Sequence, residues 1–195
     1  IDVMISRQHH SLEEPEKEIV QHLLKEEVLH ADETGIRIGD SLCWLHSVSS
    51  ATASLFSPHL KRGREGMDSA GVLPEFTGII VHDHWSPYLH YDQATHAYCN
   101  AHILRELQGV IENEALSWAR KLKKLLKIMN QVVKQAKAQG RESLSPFQIN
   151  KFTRAWNKIT QAALCCYDPP PKPTGKKGRV KQSKSKNLLD RLIRY

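Results

Sequence analysis

Two aspartates that could bind metal each follow a short apolar run. Asp32 follows Val28-Leu-His-Ala31, and Asp83 follows Ile79-Ile-Val-His82. A run of this kind delivers its carboxylate to a strand end, where the chain turns and a pocket can form. Two neighbouring carboxylates repel unless a cation lies between them, and Mg²⁺ or Mn²⁺ prefers such oxygen ligands. The pair predicts a site for divalent metal and phosphoryl transfer on nucleic acid, although a single aspartate in this position more often caps a turn.

Histidines beside these aspartates allow a second interpretation. His82 and His84 flank Asp83, and His30 lies close to Asp32. A zinc hydrolase could use all three, but zinc sites usually show tighter ligand spacing. The histidines are therefore interpreted as hydrogen-bonding neighbours of the carboxylates or of a substrate phosphate.

Other candidate residues carry weaker signals. Cys99-Asn-Ala-His102 has the spacing of half a metal site, although a buried cysteine and a histidine at a helix start explain it better. Lys61, Arg62 and Arg64 predict a phosphate-contacting loop, unless they serve solubility alone. Trp85 could stack on a base or a sugar, although structural packing explains it as well.

Charge is distributed unequally along the 195 residues, whose net charge is +7. Residues 1–100 hold 7 Lys/Arg against 15 Asp/Glu, and residues 101–195 hold 21 against 6. An acidic, metal-binding half joined to a basic half suits a protein that holds and cuts a polyanion. A solvated helical face with a basic tail is the alternative.

Composition excludes several other classes of protein. No apolar run approaches the ~20 residues of a membrane span, and the first residues lack the features of a signal peptide. Four cysteines without framework spacing indicate a reducing cytoplasm.

The order of predicted elements indicates an α/β fold of the RNase H-like class. A helix over 13–27 precedes a strand over 28–38, and Gly39-Asp40 turns the chain into a hairpin. A third strand (53–57), a short helix (65–71), strands at 79–81 and 97–99, and a helix starting near residue 101 follow. An antiparallel meander of three strands with parallel strands beside it would bring Asp32 and Asp83 together.

Five segments are expected along the chain. A leading helix (1–27, frayed up to 12) precedes a catalytic core (28–112) and an inserted helical hairpin (113–167). A basic Pro/Lys-rich linker (168–186) then leads to the start of a helix (187–195). The hairpin is predicted from apolar residues at helical spacing, with stop and start signals at Gly140 and Ser145-Pro146.

A succession of motifs in this order resembles the transposase of the insertion sequence 66 family, a family of bacterial DDE transposases. The motifs are His30-Ala-Asp-Glu-Thr34, Lys61-Arg-Gly-Arg64, Val81-His-Asp-His-Trp-Ser-Pro-Tyr88, Cys99-Asn-Ala-His102 with Arg105-Glu-Leu107, and Asn187-Leu-Leu-Asp-Arg-Leu192. The resemblance implies an RNase H-like domain that cleaves transposon ends and joins them to target DNA with Mg²⁺ or Mn²⁺. It makes Asp32 and Asp83 the first two acids of the catalytic triad, and it matches Cys99 and His102 to a Cys-x2-His signature.

The resemblance also sets expectations for activity and partners. The third acid of the family is a glutamate beyond the Leu-Leu-Asp-Arg-Leu helix, so the chain is expected to be an incomplete and poorly active fragment. DNA is expected to contact Lys61, Arg62, Arg64, Trp85, Arg105, Lys176, Lys177 and Arg179. The full-length protein is expected to form a homo-oligomer at the bacterial nucleoid, without membrane association. The alternative function is a non-catalytic basic module for DNA binding or oligomerisation.

Overall fold

A computed structural model describes residues 2–167 and 182–194. The contacts divide the chain into two compact units, Ile1–Cys99 and Asn100–Tyr195. The expected boundaries at 27/28 and 112/113 do not coincide with this division. Most of the predicted linker, including Lys176, Lys177 and Arg179, lies outside the described residues. None of the helices in the described ranges is long and apolar enough to cross a membrane.

The first unit contains a sheet of five strands in the order β3-β2-β1-β4-β5. Its strands are β1 (Val28–Ile38), β2 (Ser41–Ser49), β3 (Ser54–His59), β4 (Ile79–His82) and β5 (Thr95–Tyr98). The first three strands form an antiparallel meander, β4 pairs parallel with β1, and β5 pairs parallel with β4. This order and these directions confirm the predicted RNase H-like α/β fold.

The leading helix is longer than predicted and belongs to the first unit. It is α1 (Asp2–Leu24), so the lead-in expected to be frayed is helical. Residues 2–12 contain neither glycine nor proline, and nothing in them interrupts a helix. The side chain of Leu23 is fully buried, and Ile19, Val20 and Leu24 pack against the same core.

Three shorter elements differ from their predicted bounds. β3 continues through Pro58 because it is an edge strand, where a missing backbone N–H does not break the sheet. The short helix α2 spans Arg64–Asp68, ahead of Gly71 with its φ of +68°. After Asp83, where the sequence predicted no element before residue 97, a 3₁₀ helix spans Ser86–His90.

One face of the sheet carries the core of the first unit. Leu29 and Ala31 of β1 and Ile80 of β4 are buried, whereas His30 and Asp32 are exposed. This alternation follows from the two-residue period of a strand. The remaining core comes from the other strands, α1, α2 and the segments between elements: Leu23, Val48, Leu55, Met67, Val72, Leu73, Phe76, Tyr88, Tyr91 and Ala94.

The second unit contains four helices: α3 (Asn100–Glu114), α4 (Ser117–Ala138), α5 (Pro146–Leu164) and α6 (Lys184–Arg194). The predicted hairpin is confirmed as α4 and α5. Ser145 and Gln148 form a capping box at the start of α5, and Gly140 has a φ of +71° after α4. α3, predicted to start near residue 101, begins at Asn100.

The final helix begins earlier than predicted and is packed. α6 starts at Lys184 rather than residue 187, and Leu188, Leu189 and Leu192 are buried. The indole Nε1 of Trp156 on α5 donates a hydrogen bond of 3.1 Å to the carbonyl oxygen of Leu192. α6 is therefore part of the packed core of the second unit.

Candidate active site

The parallel pairing of β1 with β4 places the two aspartates at the same level. The paired residues are Val28 with Ile79, Leu29 with Ile80, and His30 with Val81. If this register is continued by two residues along each strand, Asp32 lies beside Asp83, which directly follows β4. Residues in register on parallel strands point to the same face, and neighbouring strands lie about 4.8 Å apart. Both aspartates therefore lie at the same end of the sheet, Asp32 at an exposed position of β1 and Asp83 directly after β4.

Each aspartate is anchored to the backbone that follows it. The Oδ1 atom of Asp32 accepts a hydrogen bond of 2.9 Å from the N–H of Glu33. The Oδ1 atom of Asp83 accepts one of 2.8 Å from the N–H of Trp85, at the turn before the 3₁₀ helix. Asp83 therefore also has the turn-capping role considered from the sequence. These bonds limit how far either carboxylate can rotate.

Glu33, which the sequence did not single out, connects three segments around the aspartates. Its side chain is 2% exposed. Its Oε1 accepts hydrogen bonds from Arg62, at 3.0 Å from Nε and 2.7 Å from Nη2. Its Oε2 accepts a hydrogen bond of 2.6 Å from the hydroxyl of Tyr88. Burial, the bond to Glu33 and the negative charges of Glu33, Asp83 and Asp32 raise the pKa of Tyr88, which stays a protonated donor.

Arg62 is held by aromatic rings as well as by Glu33. Its guanidinium carbon lies 4.2 Å from the ring centre of Trp85 and 4.9 Å from that of Trp44. A guanidinium between two indoles combines cation–π attraction with planar stacking. The ring of Trp85 also meets Tyr88 edge-on, with 6.1 Å between centres. Arg62 and Trp85, both predicted to contact DNA, thus have packing roles beside the aspartates.

The other two cations of the predicted phosphate loop have acidic neighbours. Lys61 Nζ lies 2.6 Å from Glu65, and Arg64 Nε lies 3.4 Å from Asp68. Each of these cations is therefore partly compensated within the first unit, which reduces its attraction for a phosphate.

The histidines beside the aspartates do not converge on one point. His82 is buried on the core face, where its Nδ1 contacts the Asp83 carbonyl and its Nε2 lies 3.0 Å from Nδ1 of His96. Burial lowers the pKa of His82. His30 is exposed on the opposite face, and His84 stacks on Tyr98 with 4.2 Å between ring centres. This arrangement disfavours the zinc site considered from the sequence, and no group of three possible ligands is found among the described residues.

The remaining predicted residues lie on both sides of the division between the units. Cys99 ends the first unit, and its N–H donates a hydrogen bond of 2.7 Å to the carbonyl oxygen of His82. His102 and Arg105 lie on α3 in the second unit, His102 half-buried and Arg105 exposed. The contacts of Cys99 are thus those of a residue packed beside β4.

Acids of the second unit hold α6 against α3. Glu106 forms an ion pair with Arg191, and Glu114 accepts a hydrogen bond of 2.5 Å from Ser185. Both glutamates thus have partners on α6.

A comparison with protein families agrees with the motifs. A family model described as "Transposase IS66 family" matches residues 1–193. No curated protein that was compared matches the chain. Among solved structures, the HTLV-2 integrase catalytic core domain in complex with magnesium (trimeric form) is 17% identical, with a TM-score of 0.33 over 48% of this chain and 76% of that one. Since the family match covers nearly the whole sequence, the chain belongs to the IS66 family of transposases.

Proposed function

We propose that the first unit is the catalytic core of a DDE transposase, with Asp32 and Asp83 as its first two acids. The observation that supports this proposal is the parallel register of β1 with β4, which would set Asp32 and Asp83 side by side if it is continued by two residues. Two aspartates that only capped turns would not need to lie at the same level of the sheet or on the same face. The family match supports DNA transposition as the process that this core serves.

The two aspartates fit a hard divalent cation. Their donors are carboxylate oxygens, and Mg²⁺ and Mn²⁺ prefer oxygen ligands. When bound, such ions activate the attacking oxygen and stabilise the leaving oxygen of a phosphodiester. Asp32 and Asp83 would hold the ions. Glu33, which follows Asp32, accepts hydrogen bonds from Arg62 and from Tyr88, and Tyr88 belongs to the segment that follows Asp83.

The proposed reaction has two steps at phosphorus. Water first attacks a phosphodiester at the transposon end, which releases a 3′-hydroxyl group. That hydroxyl then attacks a phosphodiester of the target DNA and joins the two molecules. The resemblance matches two acids of the triad, Asp32 and Asp83, to residues of this chain and no third one, so we expect this chain to bind the ion and DNA and to cleave weakly. Action at the nucleoid in the cytoplasm, and as a homo-oligomer in the full-length protein, forms part of the same proposal.

Metal binding tests the assignment directly. Asp32→Asn and Asp83→Asn should each weaken Mn²⁺ binding about tenfold or more, as measured by titration followed by electron paramagnetic resonance. Asp40→Asn in the β1–β2 turn is the matched control, since it removes an exposed carboxylate from the same unit. Equal Mn²⁺ affinity in the wild type and both site variants would contradict the paired-carboxylate site.

The alternative is a basic module that binds DNA without catalysis. The observation in its favour is that α4 carries seven Lys/Arg and neither Asp nor Glu between Ser117 and Ala138. A nicking assay on supercoiled DNA with Mn²⁺ separates the two functions. Weak cleavage that disappears in Asp83→Asn supports the catalytic core, whereas DNA binding without any cleavage that depends on Asp83 supports the module.

A further inference from the structure

One face of α4 carries a stripe of positive charge. Arg120, Lys124 and Lys127 are exposed and follow one another at helical spacing, and Lys123 lies beside them, half-buried. The opposite face of the helix holds the buried residues Trp118, Leu122, Leu125 and Leu126. Because packing fixes that apolar face, the basic stripe points outward.

The stripe lines a shallow groove within the second unit. Gln108 and Ile111 of α3 form one wall, and residues of α4 form the other: Arg120, Lys123, Lys124, Lys127 and Ile128. Its volume is about 300 Å³. The Nζ atom of Lys123 donates a hydrogen bond to Oε1 of Gln108, which orients that ammonium group across the groove. Four cationic residues and no carboxylate line it.

The charge balance of this groove differs from that of the loop near the aspartates. Lys61, Arg62 and Arg64 each lie within 4 Å of an acid in their own unit. Beside the groove, Glu112 lies one turn along α3 from Gln108 and accepts a hydrogen bond of 2.5 Å from its amide nitrogen. That amide therefore separates the acid from Lys123, and the cations keep their attraction for an external anion.

We propose that this groove binds the phosphodiester backbone of DNA without reading its sequence, a proposal that rests on the proposed transposase function and names its DNA-holding surface. With a rise of 1.5 Å per residue, Arg120 and Lys127 are about 10 Å apart along the helix. Phosphates follow one another every ~3.4 Å of the duplex axis on each strand, so the stripe spans about three of them. A shallow groove lined by long cationic side chains suits a continuous polyanion.

Neutralising the stripe tests this surface. The variant Arg120→Gln/Lys124→Gln/Lys127→Gln changes exposed residues only, so the fold should be retained, as circular dichroism can verify. Its control is Lys151→Gln/Arg154→Gln/Lys158→Gln, which removes one arginine and two lysines from the exposed surface of α5. Binding to a duplex of arbitrary sequence is measured in EDTA between 50 and 200 mM salt.

Each lost phosphate contact should lower the slope of log K against log salt by about 0.9. The α4 variant should therefore bind at least about tenfold more weakly at low salt, with a slope smaller by about 2 to 3, and the α5 variant should change much less. Equal losses in the two variants, or none in either, would overturn the proposal. So would a polyglutamate chain that competes as well as duplex DNA of equal charge, because the groove would then bind acidic protein.

The two proposals can fail independently. DNA binding in EDTA does not require metal, so it reports on α4 even if Asp32 and Asp83 hold no ion. Conversely, Mn²⁺ binding could be lost in Asp83→Asn and kept in the α4 variant. That result would support the metal site, whether or not the α4 variant binds DNA more weakly.

Discussion

The hydroxyl of Tyr88 donates a hydrogen bond of 2.6 Å to Oε2 of Glu33. Glu33 directly follows Asp32, and Tyr88 lies on the 3₁₀ helix that follows Asp83. A single hydrogen bond thus joins the two segments that carry the proposed metal ligands. Its donor is 1% exposed, so water does not compete for it readily.

Removing this hydroxyl should loosen the proposed site. Tyr88→Phe leaves a buried carboxylate oxygen of Glu33 without its donor, which should lower the free energy of unfolding by about 1–3 kcal/mol. It should also weaken Mn²⁺ binding several-fold, since Asp32 and Asp83 are then less firmly placed. Urea unfolding and Mn²⁺ titration measure the two effects.

Tyr91→Phe is the control for this experiment. Tyr91 is also buried and donates a hydrogen bond of 2.8 Å to a carboxylate, that of Asp68. We expect a comparable loss of stability with little change in Mn²⁺ affinity. If the two variants weakened Mn²⁺ binding equally, the Tyr88–Glu33 bond would have no special relation to the site.

Arg62 should not tolerate replacement by lysine. Arg62→Lys keeps the charge but loses the paired hydrogen bonds to Glu33 and the stacking on Trp44 and Trp85. We expect a loss of about 1–2 kcal/mol in the free energy of unfolding. The control Arg64→Lys changes an exposed ion pair to Asp68 and should cost less than about 0.5 kcal/mol. Equal losses in the two variants would contradict a special role for the stacked guanidinium.

The loop that carries Arg62 depends on a glycine in α2. A Cβ atom on Gly66 would lie 2.1 Å from the carbonyl oxygen of Lys61 and 2.5 Å from Nε2 of His46. Gly66→Ala should therefore lower the free energy of unfolding by about 1–3 kcal/mol. A Cβ atom on Gly63 would meet nothing within 4 Å, so Gly63→Ala should be nearly neutral in the same unfolding experiment. A neutral Gly66→Ala variant would show that this close approach is not maintained.

Alkaline pH should destabilise the first unit. Burial and the hydrogen bond to Asp68 raise the pKa of Tyr91 above its ordinary value of 10.0. Above pH 10 the unfolded chain releases this proton and the folded chain keeps it, so the free energy of unfolding falls as pH rises. The slope is at most about 1.4 kcal/mol per pH unit for one tyrosine.

Urea unfolding between pH 9 and 11.5 measures this slope, and Tyr91→Phe should reduce it. The slope that Tyr88 contributes should remain in that variant, because the pKa of Tyr88 is raised as well. An identical pH profile in the wild type and the variant would contradict the assignment to Tyr91.

Elements with local signals could be predicted from the sequence. The turn at Gly39-Asp40 and the start of α5 at Ser145-Pro146 depend on residues within a few positions of one another. The expectation that Asp32 lies beside Asp83 came from the order of the predicted elements, and it stays a prediction. In each case the information was an apolar pattern bounded by residues that stop or start an element.

Features that depend on distant partners could not be predicted. The sequence indicates only that Glu33 is an acidic residue on a strand. Its contacts with Arg62 and Tyr88 explain why it is buried. Likewise, Ile103, Leu107 and Val110 show that α3 has a buried face, but they do not indicate which element covers it. The contacts group α3 with the helical hairpin, whereas the sequence interpretation placed it in the catalytic core.

The parallel pairing of β1 with β4 has a consequence for the nascent protein. Asp32 cannot meet Asp83 until the meander and α2 have left the ribosome, because β4 is made after them. At about 5–20 residues per second, the 50 residues between the aspartates take several seconds to synthesise. During that interval the emerging chain has only one of the two acids, so a site that needs both carboxylates cannot form before β4 has been made.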